Sequence, residues 1–399
     1  MTGLSHRRRS AVVRFAGTAL LAVVGLVPSA SASPMPTASV LRTYVQSDVV
    51  REEQRQLDKL GAAAAWRIST GSGVTVAVVD SGVDGSHPDL VGQVLPGTDL
   101  VRQSGDGRVD PVGHGTAVAA LIAGRADGRG VVGLAPNAKI LPIRVLDEEN
   151  RYDDALIVAQ GVRWAVDHGA QVINLSLGGK GNSPALAAAL DYAFTHDVVV
   201  VACTGNLAPA SSPSVPPPAA PDKVWYPARE PGVVAVTGLA GDRDELWSES
   251  ITGPETTLAA PATGLLRDRS GDFWQVHGTS FAAPMVAATA ALIRSRWPDI
   301  SAGDVIDRLI HTARDLGPTG PDDRFGFGLV DPLAALSEDV PRVDRNPLDD
   351  GKSPGVAGFG PASGLVTTAP ALTNRLSPLG NPAPAGRGRF DRPGRQAPT

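Results

Sequence analysis

The sequence predicts an α/β fold with a largely parallel central sheet covered by helices on both faces. Three observations carry this. From Val74 onward, short β-rich runs alternate with amphipathic or alanine-rich segments, the pattern of strand–helix–strand units. Several runs, such as "VTVAVVD" (74–80) and "VVVVA" (198–202), are apolar throughout, as strands covered on both faces are. The chain has 399 residues, 42% of them hydrophobic, enough for one large domain with tails.

The elements follow in order. "MTGLSHRRRSAVVRFAGTALLAVVGLVPSASAS" has a basic start, an apolar stretch from Phe15 to Val27 and small residues at Ala30 and Ala32, so residues 1–32 read as an export signal. Residues 33–65 form an N-terminal extension ahead of a domain-size body at 66–338. The β-rich runs are 74–80, 138–146, 171–179, 198–202 and 233–240, and the helical segments are 117–124, 155–169 and 184–197. A last helix is expected from Phe281, in "FAAPMVAATAALIR" (281–294). The proline-rich stretch 207–224 has no periodicity and reads as a surface loop. Residues 339–399 are rich in Pro, Gly and Arg and read as a disordered tail, with no run apolar enough to anchor in a membrane.

Charge and cysteine usage narrow the function. Losing residues 1–32 removes four arginines and no acid, which moves the net charge from −5 to −9 and makes nucleic acid a poor partner. The single cysteine, Cys203, excludes an internal disulfide and reads as a small buried hydrophobe. The seven histidines are scattered without an H-E-x-x-H pair, which argues against a metal hydrolase. "GRGVVG" (128–133) satisfies G-x-G-x-x-G but follows a helical run rather than a strand, so it is a chance match.

Three residues bear on chemistry. Ser280, in "HGTSFAAPM" (277–285), stands at a helix N-terminus, where it reads either as a cap or as a nucleophile assisted by the helix dipole. Asp80 closes a buried strand, and His114 opens a helix. Together they supply carboxylate, imidazole and hydroxyl, the set used in nucleophilic catalysis.

Here the sequence resembles the subtilisin-like serine proteases, the subtilases. "VVDSGVDGSHPDL" around Asp80, "GHGTAVAALIAG" around His114 and "HGTSFAAPMVAATAALI" around Ser280 match the family's three motifs in its order, over about residues 66–336. "VINLSLGG" (172–179) and "VACTGN" (201–206) agree. The resemblance implies a subtilisin-like three-layer fold and a secreted endopeptidase acting on polypeptides, with no cofactor needed for the chemistry. It makes His114 the general base, Asp80 its orienting partner, Ser280 the nucleophile and Asn206 the oxyanion donor. Ser176, Leu177, Gly178 and Gly205 would line the substrate cleft. Asp89 and Asp127 match positions that bind a structural calcium in some subtilases, although Arg125 and Arg129 flank the second.

Residues 33–65 are too few for the separately folding prodomain common in this family, so the segment 48–66 is expected to pack on the body as an extension. "EEQRQLDKLGAAAAW" and "FGFGLVDPLAAL" resemble the mycosins, subtilases associated with type VII secretion, which adds components of that machinery as partners and a non-cleaving scaffold as the rival role. Mycosins commonly carry a C-terminal membrane helix and disulfides, and this sequence shows neither. The loop "LDEENRYDDAL" (146–156) raises a choice for Asp153 and Asp154: acids in the first turn of a helix, or acids that face the cleft and favour basic substrates.

Overall fold

The computed structural model describes residues 50–207, 223–241, 243–268 and 271–349, with the backbone of 377–378. The export segment and most of the proline-rich insertion lie outside them.

The β-rich runs become a parallel sheet of seven strands: β1 (Thr75–Asp80), β2 (Thr98–Asp99), β3 (Lys139–Arg144), β4 (Val172–Leu175), β5 (Val199–Cys203), β6 (Val234–Leu239) and β7 (Leu258–Pro261). Their order is β2-β3-β1-β4-β5-β6-β7, every neighbouring pair parallel. The chain jumps across β1 between β3 and β4, so the ends of β1 and β4 flank the switch point where such sheets bind ligands.

Alternation along the strands divides the core. Val76, Val78, Val172, Val199, Val201, Val234 and Val236 face α3 (His114–Ala123) and α6 (Thr279–Arg296). Ala77, Val79, Ile173, Leu175, Val200, Ala202 and Ala235 face α4 (Ala155–Asp167) and α5 (Pro184–Thr195). Because both sets are apolar, the runs look continuous in sequence. Residues Thr279 to Arg294 of α6 are all buried, which is why that helix shows no polar face; its alanines let it lie close on the sheet.

Two short helices, α1 (Arg55–Lys59) and α2 (Ala62–Ala65), precede β1. Leu57, Leu60, Ala62 and Ala65 enter the same core as α6. Fully buried Gln54 donates to the Val132 carbonyl (2.8 Å) and accepts from the Val132 N–H (3.0 Å), as a paired strand would. Trp66 Nε1 donates to the Leu134 carbonyl at 2.8 Å, and Ser69 Oγ to the Leu292 carbonyl at 2.8 Å.

β8 (Thr263–Arg267) and β9 (Phe273–His277) form an antiparallel ribbon leading into α6, and Ser377–Pro378 (β10) pairs with β9. After α7 (Ala302–His311) and α8 (Pro332–Ser337), the expected tail does not begin at residue 339. The Val343 N–H donates to Asp304 Oδ1 (2.8 Å), Asn346 Nδ2 to the Gly232 carbonyl (2.8 Å) and the Gly232 N–H to the Leu348 carbonyl (2.9 Å). The folded body therefore runs to residue 349. Composition missed this because the segment is held by a few hydrogen bonds, each with a backbone group on at least one side, and by one apolar side chain, Leu348.

Candidate active site

β1 ends in Asp80, which is fully buried. Its Oδ1 accepts from the Ser81 N–H at 2.7 Å and lies 2.8 Å from His114 Nδ1. The loop before His114 is built around Asp110, whose carboxylate accepts from Ser81 Oγ, from the N–H groups of Val112, Gly113 and Thr116, and from Thr116 Oγ1. His114 Nε2 is buried and without a hydrogen-bond partner among the described residues. Burial acts to push the imidazolium down, but the charge and hydrogen bond of Asp80, with the charge of Asp110, outweigh it and hold the His114 pKa above the usual histidine value.

Ser280 is the second residue of α6, after a Gly278 N-cap at φ 149, a backbone angle that favours glycine. It is not the cap, so the bland reading of this serine does not hold. The His114 ring lies 5.5 Å from that of Phe281, the next residue, while Cys203 Sγ lies 3.9 Å from Ser280 Oγ. Burial pushes the Cys203 thiol up to about 11, which makes it a packing group rather than a thiolate.

Pro284, inside α6, has no N–H to give to the Ser280 carbonyl four residues back. Ser176, just past β4, supplies the missing donor: its Oγ–H bonds that carbonyl at 2.7 Å, and Asn174 Nδ2 donates to the same Oγ at 2.9 Å. Asn206 Oδ1 accepts from the N–H (3.0 Å) and Oγ1 (2.8 Å) of Thr279. With Oδ1 so engaged, the Nδ2 donor is the group of that side chain left for a ligand. Gly205 and Gly178 both lie against Trp225.

Beside His114 opens a cavity of about 580 Å³, lined by Val112, Trp274 and Phe281 with Glu148 and Glu149 at its edge. Of the acids in the 146–156 loop, these two and not Asp153 or Asp154 reach it. Asp154 instead caps α4, accepting from the Leu156 N–H at 2.8 Å. Arg102 and Arg144 hold the exposed Glu148 carboxyl down at about 2. Sequence could not tell which acids point inward, because the turn is set by Asp147, which accepts from the N–H groups of Glu149 and Arg151.

Asp89 and Asp127, the expected calcium positions, are each engaged by protein groups. Asp89 Oδ2 accepts from the Val131 N–H (3.2 Å), and Arg267 Nη1 stands 3.6 Å from Oδ1, where a cation's charge would fall. Asp127 pairs with Arg125. Among the described residues no group of three or more His, Cys, Asp or Glu could hold a metal. Gly130 also packs against Asp89, so the "GRGVVG" loop is closed by protein rather than open to a nucleotide.

Residues 71–328 match the subtilase family, Peptidase_S8. The chain is 36% identical to subtilisin E of Bacillus subtilis over 299 residues, covering 73% of this chain and 74% of that protein. It is 37% identical to mycosin-1 of Mycobacterium tuberculosis over 332 residues, covering 71% and 72%. With fervidolysin of Fervidobacterium pennivorans identity is 35%, but the chain spans only 42% of that protein. Among solved structures, MycP1 with its N-terminal propeptide removed superposes with a TM-score of 0.62 at 32% identity, covering 72% of this chain and 98% of that one. The MycP3 protease from the type VII (ESX-3) secretion system gives 0.60 at 33% identity, covering 71% and 88%. The chain belongs to the subtilase family and is a subtilisin-like serine protease. No helix among the described residues is long and apolar enough to cross a membrane.

Proposed function

We propose that the chain is an exported serine endopeptidase that cleaves polypeptides through an acyl-enzyme on Ser280. The observation that carries this is the 2.8 Å contact of Asp80 with His114 Nδ1, which leaves Nε2 buried and unpartnered among the described residues while the ring lies 5.5 Å from that of Phe281, the residue after Ser280. Asp80 fixes the tautomer, so that neutral His114 accepts the Ser280 proton as Oγ attacks the substrate carbonyl. The imidazolium then returns that proton to the leaving amine, and a water repeats the sequence to release the acid. The Ser280 N–H, in the first turn of α6 where the helix offers no acceptor, and Asn206 Nδ2 donate to the oxyanion. The segment Ser176–Gly178 pairs with the substrate strand. Export rests on the pattern of residues 1–32.

The test is labelling by a fluorophosphonate probe. Wild type should label covalently, and Ser280→Ala should not. Kinship with mycosin-1 and with the protease of a type VII secretion system favours one second reading, a component of such machinery that binds without cutting. Folded mature protein whose Ser280 resists the probe would establish that reading instead.

A further inference from the structure

The ribbon that leads into α6 carries a third strand. Ser377 and Pro378, from the tail beyond the folded body, pair antiparallel with Gln275 and Trp274, so the strands run β10-β9-β8. β9 gains from such a neighbour. A two-stranded ribbon is marginal by itself, and of β9 only Val276 is buried. Cavities border both of its faces: Trp274 and Val276 line the one beside His114, while Gln275 and His277 line a second, of about 500 Å³, against Glu53, Gln56 and Trp247. An edge that bears Phe273 and Trp274, if left open, is also a template for pairing with another chain. The tail suits that edge. Large apolar residues are few in 350–399, so it has little to add to a core, but a strand's backbone N–H and C=O groups bind an edge whatever the side chains. Pro378 fits an outermost strand, where a missing N–H is tolerated.

The place of this pairing gives it a consequence. β9 ends at His277 and passes through Gly278 and Thr279 to Ser280, and the antiparallel β10 enters from that same end. Trp274, which Pro378 faces in register, is part of the wall of the cavity beside His114. An extended polypeptide that fills this cavity leaves it past Trp274, over ground that β10 covers. We propose that the tail is an internal strap: seated on β9, it restricts the approach to Ser280, so that a long polypeptide must displace it whereas a small molecule need not. The inference rests on the protease reading. Because the tail is part of the chain, it competes at an effective concentration on the order of millimolar, which lets a short pairing hold against a dilute substrate.

A reversible lock in the full chain tests the strap. Opposed residues of an antiparallel pair have Cα atoms about 4.5–5.5 Å apart, within reach of a disulfide. The single native thiol, Cys203, is buried and does not compete. Gln275→Cys with Ser377→Cys should oxidise to an intramolecular disulfide at least about 10-fold faster than the out-of-register pair Gln275→Cys with Gly386→Cys. The locked protein should cleave a long polypeptide substrate of the wild type at least about 10-fold more slowly than its own reduced form, and reductant should restore the rate. Labelling by a small fluorophosphonate should be the same in both forms. Equal crosslinking of the two pairs overturns the docking. A locked chain that cleaves the polypeptide as fast as the reduced one, or that loses labelling in step with cleavage, overturns the strap and leaves the protease reading intact. Reduced protein that does not label overturns the protease reading and the strap with it.

Discussion

Ser176→Ala removes a hydroxyl that satisfies two buried groups at once. Ser176 is 2% exposed, so water does not take its place. The Ser280 carbonyl loses its donor, which Pro284 cannot replace, and Asn174 Nδ2 loses its acceptor. Each orphaned buried group costs about 1–3 kcal/mol, so the variant should lose about 2–5 kcal/mol of stability. At roughly 2–4 °C per kcal/mol for a domain of this size, the melting temperature should fall by roughly 4–20 °C. The discriminating measurement is a double-mutant cycle followed by thermal or denaturant unfolding. Pro284→Ala restores an N–H aimed at the Ser280 carbonyl, so in that background Ser176→Ala should cost about 1–2 kcal/mol less. Strict additivity of the two substitutions would refute the claim that Ser176 stands in for the missing helical donor.

With His114 held above the usual histidine value, kcat/KM should rise through an apparent pKa above about 6.5 and vanish at lower pH; a midpoint near 6 in a pH–rate profile contradicts the assignment. A raised folded pKa stabilises the fold below the unfolded value of about 6.5 and stops doing so as pH climbs through the folded pKa, so melting of the Ser280→Ala protein should show that decline and Asp80→Asn should remove it. Asn206→Ala should lower kcat by about 100- to 1,000-fold with little change in KM, a magnitude measured on the matching donor of a subtilisin in this same family, and an equal loss in KM argues against an oxyanion role. Melting in excess calcium and in a chelator should coincide, because Arg267 already faces Asp89; a rise of several degrees with calcium would restore the ion. A chain truncated after 338 should be measurably less stable than one truncated after 349, because it also loses the Leu348 and Asn346 contacts, and equal stability of the two places the boundary back at 338.

The sheet was legible in sequence because its strands are buried on both faces, so "VTVAVVD" and "VVVVA" leave no polar gap. Asp80 and His114 were legible because strand end and helix start place them at the switch point. Other parts of the site were not. Trp225 follows a proline-rich stretch and meets the site only by packing on two glycines distant in sequence. Asp110 looks like a turn acid, and its role of building the loop before His114 depends on a hydroxyl, that of Ser81, from the neighbouring strand end. In the acidic loop the sequence pointed to Asp153 and Asp154, but the Asp147 turn and the Asp154 cap leave Glu148 and Glu149 as the two that reach the cavity.

The contact of Ser69 with Leu292 joins residues 223 positions apart, and α2 and α8 meet over the same central helix from opposite ends of the body. Such a domain has almost no local route to its native state. The sheet is parallel throughout, so every pairing waits on a crossover, and the loop-closure entropy precedes the contacts that offset it. Completion of the core requires the first helices and the last to be present together. A chain emerging from a ribosome or a membrane pore therefore stays unfinished until its final third has arrived. Its cleft, assembled from β1, β4, β5 and α6, is complete only once α6 has arrived.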